Sequence, residues 1–260
     1  MRFSQVIVAG ALLLAVGCTG DVVPDTRPTP TGPTITDIPA TRTPTATPPP
    51  VDVADALLQK GHLGRKFAPG LTTDPSFHTV YDDPEGRFGC LRALDEIDFG
   101  VPAEDSALAV YDARNDAKSP HIVNLVGRSE SEEAAAEGFL EALTILDSCQ
   151  RVRSRSEDSR VDARVETTRV PVLPAIHEQL DIRTTGRLRV LTSSFPIGIW
   201  VSVLRVDEYV AVVSVLDLGR DGAESQRALT AVVAERLAAL VAGKGLPPVR
   251  LVPMGTRLPQ

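Results

Sequence analysis

Two apolar runs near the C-terminal end limit the possible folds more than any other feature of the chain. They read Ile199-Trp200-Val201-Ser202-Val203-Leu204-Arg205-Val206 and Tyr209-Val210-Ala211-Val212-Val213-Ser214-Val215-Leu216, with only Asp207-Glu208 between them. β-branched residues dominate both runs and two polar residues join them, so the pair predicts a tight hairpin. For most of their length the runs do not alternate apolar with polar residues. Strands of that kind are buried on both faces. The hairpin therefore belongs at the centre of a sheet that carries cover on each side.

The rest of the chain supplies elements for that sheet. A short helix is predicted near Val53 to Lys60, with Leu57 and Leu58 inward and Asp55 and Gln59 outward. Residues 61–83 read as an irregular connector. A second helix is predicted from Asp83-Pro84-Glu85, since proline at the first helical position loses no needed N–H. Its buried stripe would be Phe88, Leu91 and Leu94, with Cys90 on the helix. Residues 107–113 and 121–126 read as strands, with a turn-rich connection at 114–120.

The pattern Ser129-x-x-Glu132 resembles a capping box. Behind it, Ala136, Phe139, Leu140, Leu143 and Leu146 recur at helical spacing, and Cys149 ends the helix. Glu133, Glu137 and Glu141 form an acidic row on another face, read as solvated surface with a cation or partner site as the alternative. Val161, Ala163 and Val165 alternate with Asp162, Arg164 and Glu166, which predicts a strand with one wet face. Residues 187–191 alternate in the same way. A last helix is predicted over 223–242, with Leu229, Val232, Val233, Leu237, Leu240 and Val241 inward and Gly243 as its cap. The expected fold class is α+β, sandwich-like: a mainly antiparallel central sheet with helices packed on it.

The N-terminal end carries a different message. A basic start, an apolar run from Val6 to Val16, and Ala15-Val16-Gly17-Cys18 resemble a bacterial lipoprotein signal. The run is too short for a stable membrane span. The resemblance implies cleavage before Cys18 and diacylglycerol on the Cys18 sulfur, with Ala15 a departure where such signals prefer Leu, Val or Ile. The alternative is a plain secreted protein. Residues 19–50 hold nine Pro and ten Thr, a composition that cannot bury enough apolar surface to offset its ordering entropy. At about 3.1 Å per residue such a spacer reaches roughly 100 Å, bare or carrying O-linked sugars. The expected organisation is a signal peptide at 1–17, the lipidated Cys18 and a disordered linker at 18–50, one domain at 51–244 and a flexible tail at 245–260. The expected location is the extracytoplasmic face of the cell membrane.

Three cysteines are present. With Cys18 lipidated, Cys90 and Cys149 remain, and an exported setting favours a disulfide between them. A catalytic thiol at Cys149 is the alternative, without a recognisable nucleophile motif in support. Residues 51–260 hold 24 Lys and Arg against 31 Asp and Glu. No basic patch or stripe stands out in the sequence, so no nucleic acid is expected as a partner.

The chemistry-bearing residues are scattered. His62, His78, His121 and His177 lack metal-type spacing, and no metal or cofactor is expected. His177, Asp181 and Ser193-Ser194 would make a hydrolase triad only if folding joined them, and no nucleophile elbow is present. An acid-rich stretch over 82–116 lacks the alternating ligand spacing of a calcium loop. Trp200, the single tryptophan, is either a cleft residue or a core residue beneath a helix.

The arrangement resembles the extracellular sensor domain of actinobacterial PknH-type receptor kinases, and the related stand-alone sensor-domain lipoproteins. The residues that carry it are the Cys90 helix, the helix from Glu132 to Cys149, the strands 200–206 and 209–216, and the helix 223–242. It implies a sheet with flanking helices, a ligand cleft, and a Cys90–Cys149 bond matching one family disulfide. The second family disulfide is absent, as are a kinase domain and a membrane-spanning helix. The expected function is a non-catalytic binding or sensor module at the cell envelope, taking a small-molecule, wall or protein ligand in a cleft of uncharged residues. A carrier of lipid or another hydrophobic molecule between membrane and wall is the alternative, and a hydrolase ranks below both. A flat interaction protein with no cleft is a further reading.

Overall fold

A computed structural model describes residues 52–70, 90, 92–95, 97–114, 120–155, 159–169, 173–218 and 222–254. They all fall within one compact unit, Thr47–Gln260. The expected signal sequence, Cys18, the Pro/Thr-rich segment, His78 and the start of the predicted Cys90 helix lie outside the described residues.

The first predicted helix is replaced by a 3-10 turn at Val53–Ala56 and a single helical turn, α1 (Lys60–Leu63). The predicted connector then holds a short strand, β1 (Phe67–Pro69), and Arg92–Asp95 form α2. The expected strands follow as β2 (Ser106–Ala113) and β3 (His121–Arg128), and the expected long helix as α3 (Glu132–Ser148). Beyond it come β4 (Arg151–Arg155), β5 (Ser159–Thr168), β6 (Glu178–Val190), β7 (Ser193–Val206) and β8 (Tyr209–Asp217). The last helix is α4 (Ala223–Val241). No helix of the described residues is long and apolar enough to cross a membrane.

The eight strands make one sheet in the order β1-β2-β3-β8-β7-β6-β5-β4, with every neighbour antiparallel. α3 carries the chain from β3 to the far edge at β4, and a meander of five strands then returns to close against β3. The expected hairpin is β7–β8, turning at Asp207 with φ 51°. It lies centrally, as its two-sided hydrophobicity demands.

Strand alternation divides the core in two. On one face, Ala135, Phe139, Ala142 and Leu146 of α3 meet Val161, Ala163, Leu180, Ile182, Val201, Val203 and Val212. On the other, Leu229, Val233 and Leu237 of α4 meet Leu204, Val206, Ala211, Val213 and Val215. Full burial of each large aliphatic side chain contributes roughly 1.5–3 kcal/mol. α4 rests on β7 and β8.

Several local expectations change. Ser131, not Ser129, caps α3, accepting the Ala134 N–H at 3.1 Å, while Ser129 donates to the Phe99 carbonyl. The buried stripe of α3 runs through Ala135, Gly138, Phe139, Ala142 and Leu146, leaving Leu140 60% exposed. Cys149 ends α3 and is bonded to Cys90, with 5.7 Å between their Cα atoms. Of the tail expected to be flexible over 245–260, the described part, 245–254, is extended but held down, and 255–260 lie outside the described residues. Val252 N–H donates to the His62 carbonyl at 2.8 Å, and the Val252 side chain is buried in the α4-side core.

The N-terminal segment is locked to the sheet through Asn124, which is fully buried in β3. Its Oδ1 accepts the Leu58 N–H at 2.7 Å and its Nδ2 donates to the Val212 carbonyl at 3.0 Å. The Tyr111 hydroxyl donates to the Leu58 carbonyl at 2.9 Å. Replacing Asn124 by Ala leaves the buried Leu58 N–H unpaired and takes a donor from the Val212 carbonyl, which should lower the unfolding free energy by roughly 1–3 kcal/mol in urea titrations.

Candidate binding site: an arginine-lined sheet face

Because α4 covers only β7 and β8, the same face of β4, β5 and β6 is left to solvent. The residues on it are dictated by alternation. Val152 of β4, Val161, Ala163 and Val165 of β5, and Leu180 and Ile182 of β6 point into the α3-side core. Their sequence neighbours must therefore point the other way. Those neighbours are Arg151, Arg153 and Arg155 on β4, Arg160 and Arg164 on β5, and Arg183, Arg187 and Arg189 on β6. The carboxylates described on that face are Asp162, Glu166 and Asp181, the last taken up by the Ser202 hydroxyl. A chain of net charge −7 thus presents a strongly basic surface, and the sequence reading that found no basic patch is corrected.

Register sets the arginines directly opposite one another. Arg151 faces Arg164, Arg155 faces Arg160, and Arg160 faces Arg189. Like charges paired across strands destabilise a sheet. Only part of the charge is neutralised. The Arg151 guanidinium donates to both oxygens of Asp162, at 2.9 and 3.0 Å. That bidentate contact holds the Asp162 carboxyl below its ordinary range. Glu166 lies 3.4 Å from Arg164 and 4.0 Å from Arg183. Arg187 donates to the Ser194 hydroxyl at 3.1 Å.

Between these side chains lies an open depression of about 710 Å³, lined by Gln150, Arg151, Arg160, Asp162, Arg164, Thr185, Arg187 and Arg189 among others. Its size suits a small-molecule ligand. Its chemistry suits an anion, because the planar guanidinium pairs in two-pronged fashion with carboxylate and phosphate. The expected cleft of uncharged residues is therefore not what the fold provides here.

The other singled-out residues do not converge on this depression. Trp200 is 3% exposed and lies against Gly222, where a Cβ would come within 2.6 Å of its ring. It is the core residue beneath a helix, not a cleft residue. The imagined triad is dispersed. The Asp181 carboxylate holds the Ser202 hydroxyl, and the His177 Nδ1 accepts the Asp207 N–H at 3.1 Å. Ser194 pairs with Arg189 at the other end of β7, eight residues from Ser202, or roughly 26 Å along a strand. His121 pairs with Asp112 at 2.6 Å. Glu133, Glu137 and Glu141 lie on the exposed side of α3. Of the acid-rich stretch, the described Asp98 accepts the Gly100 N–H at 2.8 Å.

Glu132, His177 and Asp207 bring potential ligand atoms within 4.8 Å of one another. The Arg205 guanidinium already supplies positive charge there, 3.4 Å from Glu132, 3.2 Å from the Asp207 carbonyl and 2.7 Å from Glu178. A metal ion would have to compete with it, and the cluster reads as an ion-pair network.

A smaller cavity of about 190 Å³ lies between α4 and the docked tail, lined by His62, Arg236 and Pro247 among others. Arg236 is 2% exposed and donates to the carbonyls of Asp55 and Pro247, tying three segments together. Burial, and then the Arg236 charge, lower the pKa of His62 from its ordinary 6.5. The His62 Nδ1 accepts the Gln59 N–H at 2.9 Å, which needs a bare ring nitrogen. A histidine with a lowered folded-state pKa contributes stability that is present above its unfolded pKa and lost as pH falls below it. Urea titrations should therefore show stability dropping below about pH 6.5, and His62→Gln should flatten that slope relative to the parent chain.

No family model matches the chain, and no curated protein matches it significantly. Among solved structures the chain is similar to an uncharacterised protein from Mycobacterium smegmatis, at 16% identity and a TM-score of 0.40, covering 75% of this chain and 98% of that one. A likeness at that level carries no statement about family or activity.

Proposed function

We propose that the protein is a cell-envelope lipoprotein whose folded domain is a non-catalytic binding module, and that its ligand is an acidic molecule held on the arginine face of β4, β5 and β6. The observation that carries this reading is the presence of three directly opposed arginine pairs, Arg151–Arg164, Arg155–Arg160 and Arg160–Arg189. Each pair weakens the sheet. Local choices that oppose folding cluster at functional sites. Every described cation on this face is arginine, the side chain suited to forked contacts with phosphate or carboxylate. The non-catalytic reading rests on the scatter of His62, His121 and His177 away from the depression.

The test is calorimetric titration with inorganic polyphosphate as a soluble probe. Binding is expected, weakening as salt rises because the contacts are ionic. Replacing Arg164 and Arg187 together by Glu should weaken it by roughly ten-fold or more, since a charged hydrogen bond to phosphate is worth about 1.5–3 kcal/mol. Absence of binding at low salt, or binding unchanged by the double replacement, would overturn the reading.

The anchor is tested separately, by the intact mass of the chain from its native host. A mature form beginning at Cys18 with an acyl adduct is expected, together with a gain of two hydrogens on reducing Cys90–Cys149. A chain of full sequence mass would refute lipidation.

A further inference from the structure

The tip of the β6–β7 hairpin carries a feature that neither folding nor a soluble ligand accounts for. Val190 pairs with Ser193, so Leu191 and Thr192 form a two-residue turn. Such turns favour Asn, Asp or Gly, which tolerate positive φ at little cost. Here Leu191 holds the left-handed position, with φ 52°. A branched apolar residue there opposes its backbone preference. It is also the most exposed large apolar side chain among the described residues, at 78%, with Phe195 at 44% and Val190 at 36% beside it. Three of the seven exposed large apolar side chains among the described residues thus fall within six positions.

One face of the same tip carries a bank of cations. Arg187 and Arg189 project from the opposite face of β6. Arg160 stands across from Arg189, and Arg155 across from Arg160. Ser159 pairs with Val190, so the start of β5 lies alongside the apolar turn. The β4–β5 connection, 156–158, lies outside the described residues and includes Glu157 and Asp158. An apolar point beside a bank of arginines has the chemistry of a bilayer-docking element. The apolar side chains enter the acyl boundary while guanidinium groups stay at the phosphate level on their aliphatic stems. Each such cation is attracted by an anionic membrane surface.

We infer that the β6–β7 tip docks the domain onto a membrane bearing anionic phospholipid headgroups, with Leu191 and Phe195 inserted and Arg155, Arg160, Arg187 and Arg189 on the phosphates. This rests on the anionic-ligand reading above and names the lipid headgroup as its source. A soluble polyanion would use the arginines but would leave Leu191 and Phe195 in water.

The test uses the chain from residue 18 onward carrying Cys18→Ser, so that no acyl chain supplies the attachment. It is floated with vesicles of phosphatidylcholine alone and with vesicles of equal parts phosphatidylcholine and phosphatidylglycerol. Flotation with the anionic vesicles only is expected. Leu191→Asp should reduce it by roughly ten-fold or more, with unchanged circular dichroism and unchanged polyphosphate binding. Arg187→Glu with Arg189→Glu should reduce both. Polyphosphate binding without flotation would overturn the membrane inference and leave the anionic-ligand reading standing. Loss of both would overturn the two together. Flotation indifferent to Leu191→Asp, or a dimer that Leu191→Asp dissociates, would also overturn docking through the tip.

Discussion

The structure depends on burying both faces of the β7–β8 hairpin. Alternate residues of β8, such as Val212 and Val213, belong to opposite cores. Two separate helices are therefore needed, and the chain provides them on opposite sides: α3 as the crossover from β3 to β4, α4 as the element that follows β8. The rest follows from that demand. β3 must reach β8, the meander must begin at the far edge, and Cys149 ends the crossover helix where the bond to Cys90 fastens it.

Helix placement also decides where function has room. α3 covers the inner face of the meander from β4 to β8, while α4 covers only β7 and β8. The uncovered area on the α4 side of β4, β5 and β6 is a wet sheet face, and eight of its outward positions are arginine. One carboxylate, Asp162, is shared by Arg151 and Arg153. The remaining repulsion is tolerated because the same strands are anchored on their other face by Val152, Val161, Ala163, Leu180 and Ile182. A firm core on one face permits a costly charge arrangement on the other.

Much of the fold was legible because it rests on local periodicity. Tyr209–Asp217 and Ala223–Val241 carry patterns strong enough to place a central strand and a helix without knowledge of their partners. The wet face of β5 was legible from Asp162 and Arg164 alternating with Val161 and Ala163. Short elements were not. β1 has three residues and α1 four, too few to show a period. β4 was missed because only Val152 points into the core, with Arg151, Arg153 and Arg155 around it. The Ser129 cap failed because Ser129 is buried and spends its hydroxyl on Phe99, leaving Ser131 to begin the helix.

The sequence by itself determined the binary pattern of each long element, the two-sided burial of the central hairpin and the cysteine pair available for bonding, because these depend on side chains close together along the chain. It could not show the basic face. Arginines 151, 160 and 189 lie on three different strands, and acidic residues elsewhere cancel them in any count of net charge. Only the tertiary structure, by fixing the register of β4, β5 and β6 and leaving α4 short of them, decided that those charges meet on one open surface.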